Sequence, residues 1–345
     1  MKRMKGMNNK PRASIIIPSR GMVEGLRKLF RALALEVAGQ KVEVILVDDG
    51  SRHPLSFLEA EYRGKLNLKV VRQEPRGPAA ARNLGVKNAS AETIIFLDSD
   101  VTPLPGWFSA LLSRLEQDPG LAGVEGKTIS RNLEDLNPFS HYLENLEGGK
   151  YLTCNIAYRR EWVEKVGGFD ERFKHPWRED SDLAFSILEQ GGKIIFAPEV
   201  AVGHPVRPVN LWRLFWFYPI RRGYEWLVFR RHPDHCHTLE MGFADLSEET
   251  FLFSFLLALI FFALGWMIPG FLALIFHQAI YNHILLRKLS FGTRVALNPA
   301  VPWKIYARAY PFFYPTVFLG LAGLLWGRIR FAGVKPGSTS GEAGK

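Results

Sequence analysis

The chain has 345 residues, a formal net charge of +10 and only two cysteines. This length allows one large domain with an accessory part, and the low cysteine count excludes a disulfide-stapled scaffold. A basic balance favours nucleic acid, an anionic membrane or phosphorylated ligands, but the positive charge clusters beside apolar runs, so we expect no nucleic-acid partner.

Segment 1–12 is basic and lacks the apolar stretch of a signal peptide, so we expect the following domain to lie in the cytoplasm. That domain, residues 13–208, alternates between strand and helix patterns. Strands are predicted at 13–17, 42–47, 68–72 and 93–97, and helices at 25–37, 55–62, 78–88 and 107–117. This order predicts an α/β fold with a parallel sheet and right-handed crossovers.

Acidic pairs follow two of these strands. Asp48 and Asp49 follow the second strand, and Asp98 and Asp100 follow the fourth. Ligands of open α/β sheets bind at the carboxyl ends of the strands, which predicts a functional role. The carboxylates of Asp98 and Asp100 point the same way in an extended segment and suit Mg²⁺ or Mn²⁺. An Asx-type turn is the structural alternative for Asp48-Asp49.

The helix predicted at 78–88 begins with small residues, which permit a close approach to the sheet or to a ligand. Within it, Arg82 faces either a phosphate or an acidic loop. Both readings remain open at the level of sequence.

A third acidic pair, Glu179-Asp180, opens a helical pattern directly after Trp177 and Arg178. The helix dipole alone favours acidic residues in a first turn. A carboxylate held ionised at a helix N-terminus also suits a general base. Further along, His204 follows a short apolar run and either completes a metal shell or is a hydrogen-bonded loop histidine.

The sequence changes character after residue 208. Segment 209–248 mixes aromatic residues with arginines, which is typical of amphipathic helices in a membrane interface. No charged residue occurs between Phe251 and Phe276. We predict a membrane region at 249–328 with three helices at about 250–268, 270–287 and 308–327, and the alternative is two spans with a re-entrant segment. Residues 329–345 are predicted to be a disordered tail.

The motifs taken together resemble the family 2 glycosyltransferases, a GT-A group that includes dolichyl-phosphate mannose synthases and cellulose synthases. The matching segments, in order, are Ser14–Arg20, Val47–Ser51, Gly77–Gly85, Phe96–Asp100, Asn155–Arg160, Gly167–Asp170 and Glu179-Asp180. Each motif is common, but the ordered set is specific. The resemblance implies a Rossmann-like GT-A nucleotide-sugar-binding domain, followed here by interface helices and transmembrane helices.

The resemblance also implies roles for individual residues. The nucleotide-sugar-binding set is Pro18, Ser19, Arg20, Asp48, Asp49, Arg82, Asp98 and Asp100. Asp100 would bind the divalent cation, Mg²⁺ or Mn²⁺, and His204 is our candidate second ligand. Asp180 would take the proton of the acceptor, with Trp177 and Glu179 at the acceptor site.

The expected reaction is an inverting transfer of a hexose to an isoprenoid lipid-linked acceptor at the cytoplasmic face of the cell membrane. The expected donor is GDP-mannose or a UDP-hexose, and mannose is favoured by analogy with the mannose synthases. One alternative is a polyprenyl-phosphate sugar synthase, whose acceptor is a phosphate. The other is a non-catalytic membrane sensor of nucleotide sugars.

Overall fold

The computed structural model describes residues 10–132, 140–141, 143–208, 211–235, 246–291, 318–320 and 322–338. Its strands are β1 (Ala13–Ser19), β2 (Val42–Asp49), β3 (Leu68–Gln73), β4 (Thr93–Phe96), β5 (Thr102–Pro103), β6 (Leu121–Arg131), β7 (Ser140–His141), β8 (Ile156–Arg159), β9 (Lys193–Pro205) and β10 (Arg207–Pro208). Its helices are α1 (Val23–Glu36), α2 (Phe57–Glu61), α3 (Pro78–Asn88), α4 (Trp107–Gln117), α5 (Arg160–Lys165), α6 (Glu179–Glu189), α7 (Leu211–Arg231), α8 (Leu246–Ala263) and α9 (Met267–Phe291).

The chain divides into two compact units, and the first holds Met1–Arg131, Leu143–Pro205 and Lys335–Lys345. Among the described residues, this unit contains an eight-stranded sheet in the order β3-β2-β1-β4-β8-β6-β9-β5. The strands β1 to β4 are parallel, as predicted, whereas β8 runs antiparallel to both β4 and β6. The α/β fold is therefore confirmed, and the sheet is mixed rather than wholly parallel.

Helices α1 and α3 pack against the sheet through different kinds of side chain. The buried face of α1 consists of Leu26, Leu29, Phe30 and Leu33, which is the spacing of an amphipathic helix. Helix α3 has proline in its first turn and packs through small residues. A methyl group added at Gly85 would lie 2.3 Å from Ile16 Cγ2, so this helix needs glycine at that position to approach β1.

Asn155 organises the other half of the sheet. Its Oδ1 accepts a hydrogen bond from Trp107 Nε1 at 2.8 Å, and its Nδ2 donates to Lys127 O at 2.9 Å and Val200 O at 2.8 Å. The β6–β9 register shifts at this point, from Gly126 opposite Ala197 to Lys127 opposite Ala201. Asn155 thus holds the irregular stretch that sets the register of the last residues of β9.

The second unit comprises Asn132–Tyr142 and Val206–Val334 and includes α7, α8 and α9. Helix α7 lies within the predicted interface segment 209–248, of which residues 209–210 and 236–245 are outside the described residues. The arginines of α7 do not form one exposed face, because Arg222 and Arg231 are buried and Arg222 pairs with Glu225. The burial of these two side chains shows that the basic residues of α7 are not all solvated.

None of the helices in the described parts of the chain combines the length with the apolar character that a membrane crossing requires. The three predicted spans are therefore not supported. Helix α8 ends at Ala263, so its uncharged part after Glu249 is only about 20 Å long, against a hydrocarbon core of about 30 Å. Helix α9 carries several polar residues in its second half, and residues 308–317 of the third predicted span lie outside the described residues.

The tail predicted to be disordered from residue 329 is ordered at its start. Residues 322–330 are helical, and the buried ring of Phe331 lies 6.4 Å from Tyr224 and 5.7 Å from Trp326 between ring centroids. Aromatic burial overrides the Gly-rich composition that motivated the prediction. Residues 339–345 and 1–9 lie outside the described residues.

Candidate active site

The predicted site residues after β1, β2 and β4 meet at one edge of the sheet. These strands are parallel neighbours, with Ser19 opposite Asp48, so their carboxyl ends lie side by side. Pro18 and Ser19 end β1, and exposed Arg20 follows. The Ser19 hydroxyl is buried and has no hydrogen-bond partner among the described residues, which leaves it available to a ligand.

The carboxylate of Asp48 is engaged by its own turn. Its Oδ1 accepts from the Ser51 N–H at 2.8 Å, and its Oδ2 accepts from the Leu55 N–H at 3.2 Å and from Arg72. Burial acts to raise the pKa of Asp48, but the hydrogen bonds from Ser51, Leu55 and Arg72 outweigh it and hold that pKa below its usual value. The turn alternative is therefore realised, and nucleotide binding by Asp48 stays a prediction.

Asp49 connects β2 to the start of α3. Its Oδ1 accepts from Gln73 Nε2 at 2.7 Å and from the Arg76 N–H at 2.8 Å. Its Oδ2 accepts from the Gly77 N–H at 3.0 Å. Asp49 thus shapes the loop before α3, and contact with a nucleotide stays a prediction for this residue too.

Arg82 is the centre of a buried ionic network. It is 3% exposed, and its Nη1 donates to Glu179 Oε1 at 2.8 Å while its Nη2 donates to Asp98 Oδ1 at 3.0 Å. The guanidinium carbon also lies 5.6 Å from the centre of the Phe169 ring. Of the two sequence readings, pairing with acidic groups is the one realised here, and Arg82 links the end of β4 to α6.

Three predicted residues form a potential metal cluster. Ligand atoms of Asp98, Asp100 and His204 all lie within 4.8 Å of one another. Strand β5 follows Asp100 directly and pairs antiparallel with β9, with Thr102 opposite Gly203, and this pairing brings His204 to the acidic loop. Asp98 adds a third ligand candidate to the two that the sequence analysis named.

The donor chemistry of this cluster fits a divalent cation. His204 is buried, its Nδ1 lies 3.0 Å from the Pro205 carbonyl oxygen, and its Nε2 lies 3.8 Å from Asp100 Oδ2. A neutral imidazole that donates from Nδ1 directs the Nε2 lone pair towards Asp100. Two carboxylates and an imidazole suit Mn²⁺, and two carboxylates with water suit Mg²⁺.

The pair Glu179-Asp180 opens α6, as predicted, but the two carboxylates differ. Glu179 is buried, and both its oxygens are used, Oε1 by Arg82 and Oε2 by the Trp177 N–H at 2.7 Å. Asp180 is partly buried, and its Oδ1 accepts from the Ser181 N–H at 2.8 Å. Asp180 is therefore better able than Glu179 to accept a proton from a substrate.

The pKa values of this pair are raised. Burial raises the pKa of Glu179 to about 7 against the opposing charge of Arg82. Burial also raises the pKa of Asp180, and the charge of Asp98 acts in the same direction. A carboxylate whose pKa lies nearer to neutrality is a stronger base than an ordinary aspartate, which supports the predicted role of Asp180.

The metal cluster and Asp180 share one neighbourhood. Burial raises the pKa of the Cys154 thiol, and the charges of Asp98, Asp180 and Asp100 raise it further. The geometric link between the two groups is Arg82, which donates to Asp98 and to Glu179, the residue directly before Asp180. Residues more than 80 positions apart in the sequence thus form one acidic site.

Asn83 is a site-supporting residue that the sequence analysis did not name individually. Its Nδ2 donates to Phe169 O at 2.9 Å, and its Oδ1 accepts from the Phe169 N–H at 2.8 Å. This two-way pairing fixes the segment that leads to Trp177 and α6. The adjacent position of Asn83 and Arg82 in the Gly77–Gly85 motif was the available signal.

Comparison with known proteins identifies the domain that holds these residues. The family described as "Glycosyl transferase family 2" matches residues 14–167, and the family described as "N-terminal domain of galactosyltransferase" matches residues 137–207. The glycosyltransferase family 2 match thus covers just under half of the chain. The resemblance inferred from the ordered motifs is confirmed.

Curated proteins similar to this chain include the pre-mycofactocin glycosyltransferase of Mycobacterium tuberculosis (strain CDC 1551 / Oshkosh). It is 32% identical over 214 residues, which cover 56% of this chain and 43% of the relative. The chondroitin synthase of Pasteurella multocida (strain Pm70) is 27% identical over 231 residues, which cover 54% of this chain and 24% of the relative. The chain therefore spans less than half the length of these curated relatives.

Among solved structures, a mannosyltransferase from Pyrobaculum calidifontis in complex with GDP-Man and Mn²⁺ is similar to this chain in fold. The TM-score is 0.52 at 19% identity, and the match covers 92% of this chain and 88% of that chain. This likeness supports the GT-A-like α/β fold.

Proposed function

We propose that this protein is an inverting, metal-dependent glycosyltransferase that uses a nucleotide sugar as donor. The observation that carries the proposal is the meeting of Asp98, Asp100 and His204, whose ligand atoms lie within 4.8 Å, in the same acidic neighbourhood as Asp180. The match of residues 14–167 to glycosyltransferase family 2 supports the same chemistry.

In this mechanism, Asp98, Asp100 and His204 would hold the divalent cation. When bound there, the cation would neutralise the negative charge that develops on the departing nucleoside diphosphate. The end of β1, with Pro18, Ser19 and Arg20, borders the nucleotide, and the buried hydroxyl of Ser19 offers it one hydrogen bond.

Asp180 acts as the general base. The acceptor hydroxyl gives its proton to Asp180 as its oxygen attacks the anomeric carbon, and the bond from that carbon to the diphosphate oxygen breaks with its electron pair. Glu179 is a positioning residue, because both its oxygens are already bound by Arg82 and the Trp177 N–H. A one-step displacement of this kind inverts the anomeric carbon and needs no protein nucleophile.

The transferred sugar is a hexose, with mannose from GDP-mannose favoured over UDP-linked hexoses. The acceptor is a hydroxyl of an isoprenoid lipid-linked glycan at the cytoplasmic face of the cell membrane. Support for the membrane comes from the sequence between Phe251 and Phe276, which carries no charge. The names of the relatives, which include pre-mycofactocin, chondroitin and hyaluronan enzymes, do not favour one acceptor.

The test is release of nucleoside diphosphate by the purified full chain in detergent with Mn²⁺. Donors are GDP-mannose, UDP-glucose, UDP-galactose and UDP-N-acetylglucosamine, each with and without an isoprenoid-lipid extract. We expect turnover of one donor, stimulated by lipid, abolished by EDTA and lost in Asp100→Ala. The control Glu161→Ala removes an exposed carboxylate on α5 and should retain full activity.

Two outcomes oppose the proposal. Tight binding of one donor, with no release of nucleoside diphosphate under any condition, would favour the alternative of a non-catalytic nucleotide-sugar sensor. Release that persists in Asp100→Ala and in EDTA would exclude the metal cluster from the reaction.

A further inference from the structure

The hairpin formed by α8 and α9 has its polar and apolar side chains in an inside-out arrangement. Ser254 and His277 are 1% and 2% exposed, and Ser254 Oγ lies 3.2 Å from His277 Nδ1 between the two helices. Large apolar side chains point outward instead, including Leu259, Ile260, Ile268, Leu272, Ile275 and Phe276. Helix pairs in water bury apolar surface, whereas helices in lipid turn their polar groups towards each other.

Both helices of the hairpin carry exposed apolar surface. On α8, Phe253, Leu256, Leu259 and Ile260 are exposed, and on α9 the exposed large apolar side chains lie between Met267 and Phe276. At 100° per residue these positions span about a third of the circumference of α8 and about half that of α9. Lipid chains can cover the exposed surface of both helices at once.

The length of this surface matches one leaflet of a bilayer. The exposed apolar residues span Phe253 to Ala263 on α8 and Met267 to Phe276 on α9, about 15 Å along each helix. The hydrocarbon core of a bilayer is about 30 Å thick, so each leaflet contributes about 15 Å.

The charged residues of the hairpin lie away from its apolar surface. Glu248 and Glu249 begin α8, Arg287 and Lys288 lie near the end of α9, and no charged residue lies between Thr250 and Leu286. The short connection at residues 264–266 makes the helices antiparallel, and the contact of Phe262 with Phe271 (ring centroids 5.4 Å apart) agrees. All four charges therefore belong to the open end of the hairpin, and the tip has none.

We propose that the α8–α9 hairpin inserts its tip into the hydrocarbon of a lipid bilayer to the depth of about one leaflet. Insertion depends on apolar surface and not on the sign of the lipid headgroup. Insertion requires neither a bound donor nor catalytic activity. The insertion proposal is therefore tested independently of the proposed reaction.

The experiment is flotation of the purified full chain with vesicles of phosphatidylcholine at high salt, where headgroup charge contributes nothing. The variant Ile268→Glu/Leu272→Glu/Ile275→Glu places three carboxylates on the outer face of α9, where these side chains are 61–75% exposed. We expect it to reduce the vesicle-bound fraction more than about tenfold. The matched control is Leu35→Glu on α1, where leucine is 81% exposed outside the hairpin, and it should float like the wild type.

Depth is measured with a bimane fluorophore on Ile268→Cys in a Cys236→Ser background, because the remaining Cys154 is buried. Phosphatidylcholine brominated on its acyl chains should quench this fluorophore, and aqueous iodide should not. The proposal is overturned if the wild type does not float, or if the triple variant floats equally well.

Two other occupants of this surface give distinct results. Association with a second copy would appear as a dimer in sedimentation, and the triple variant would be monomeric. Brominated lipid would then not quench the fluorophore. Coverage by residues 292–317 of the same chain would protect the fluorophore from lipid and iodide alike. Either result would overturn lipid insertion.

Discussion

Arg82 Nη1 lies 2.8 Å from Glu179 Oε1, and both side chains are buried. The same guanidinium reaches Asp98 Oδ1 at 3.0 Å, so one cation joins the acidic loop after β4 to the first turn of α6. Arg82 thereby links the candidate metal cluster, through Asp98, to the helix turn that carries the candidate base.

Removing this cation should be strongly destabilising. In Arg82→Leu two carboxylates lose their buried partner, and we expect the free energy of unfolding to fall by about 3–5 kcal/mol. Arg27→Leu is the control, because its pair with Glu61 is accessible to solvent, and its loss should cost much less than the loss of Arg82. Urea unfolding measures both, and equal losses would contradict a special role of Arg82.

Glu179 should make stability depend on pH. Its folded pKa of about 7 exceeds the ordinary value of 4.5, so the folded state holds a proton that the unfolded state has released. Stability is therefore lost as pH rises from about 5 to about 8, by on the order of 3 kcal/mol at most. The variant Glu179→Gln should not show this loss, because its amide does not titrate. The amide oxygen still accepts a hydrogen bond from Arg82.

The measurement is urea unfolding of the wild type and Glu179→Gln in EDTA at several pH values. The unfolding free energy of Glu179→Gln should increase relative to that of the wild type as pH rises. A difference that stays constant with pH would show that Glu179 does not titrate in this range.

His204 should contribute directly to metal affinity. Replacing it in His204→Gln removes the imidazole that faces Asp100, and we expect Mn²⁺ binding to weaken at least about tenfold. Calorimetric titration with Mn²⁺ in the presence of a nucleoside diphosphate measures this change. His53→Gln alters an exposed histidine and should bind as the wild type does.

Asp180→Asn should separate catalysis from binding. We expect kcat to fall at least about a hundredfold while donor affinity is unchanged, because an amide cannot accept the acceptor proton. Single-turnover kinetics and donor titration measure the two quantities. A much smaller loss would favour the alternative in which the acceptor is an ionised polyprenyl phosphate, which needs no base.

Arg178 occupies a strained position next to this base. It has φ 71° directly before α6, in the left-handed region that favours glycine, and its charge lowers the pKa of Asp180. Arg178→Gly should stabilise the fold by about 1 kcal/mol relative to Arg178→Ala, since alanine keeps the strain.

Both Arg178 variants remove the charge and should raise the pKa of Asp180. The acid limb of the pH–rate profile should then move to higher pH in both, because the base must be ionised. Melting temperatures report the strain and pH–rate profiles report the charge. A profile unchanged in both variants would exclude an electrostatic role for Arg178.

Local pattern was sufficient for the first half of the domain. The strands and helices predicted between residues 13 and 117 agree with the structure to within a few residues, because apolar periodicity and turn residues act locally. The ordered acidic motifs also placed Asp98, Asp100 and Glu179-Asp180 on the correct elements, since strand ends and a helix start are local features. The resemblance to family 2 glycosyltransferases followed from the same motifs, and the family match over residues 14–167 agrees with it.

Tertiary structure decided what depends on contacts distant in sequence. The place of His204 depends on the β5–β9 pairing and on the β6–β9 irregularity held by Asn155, and neither leaves a local signal. The burial of Arg82 between Asp98 and Glu179 distinguished the two carboxylates of α6, because only their surroundings differ. The helix boundary at Ala263 likewise turned a continuous apolar run into a short hairpin, since chain length alone does not say where a helix ends.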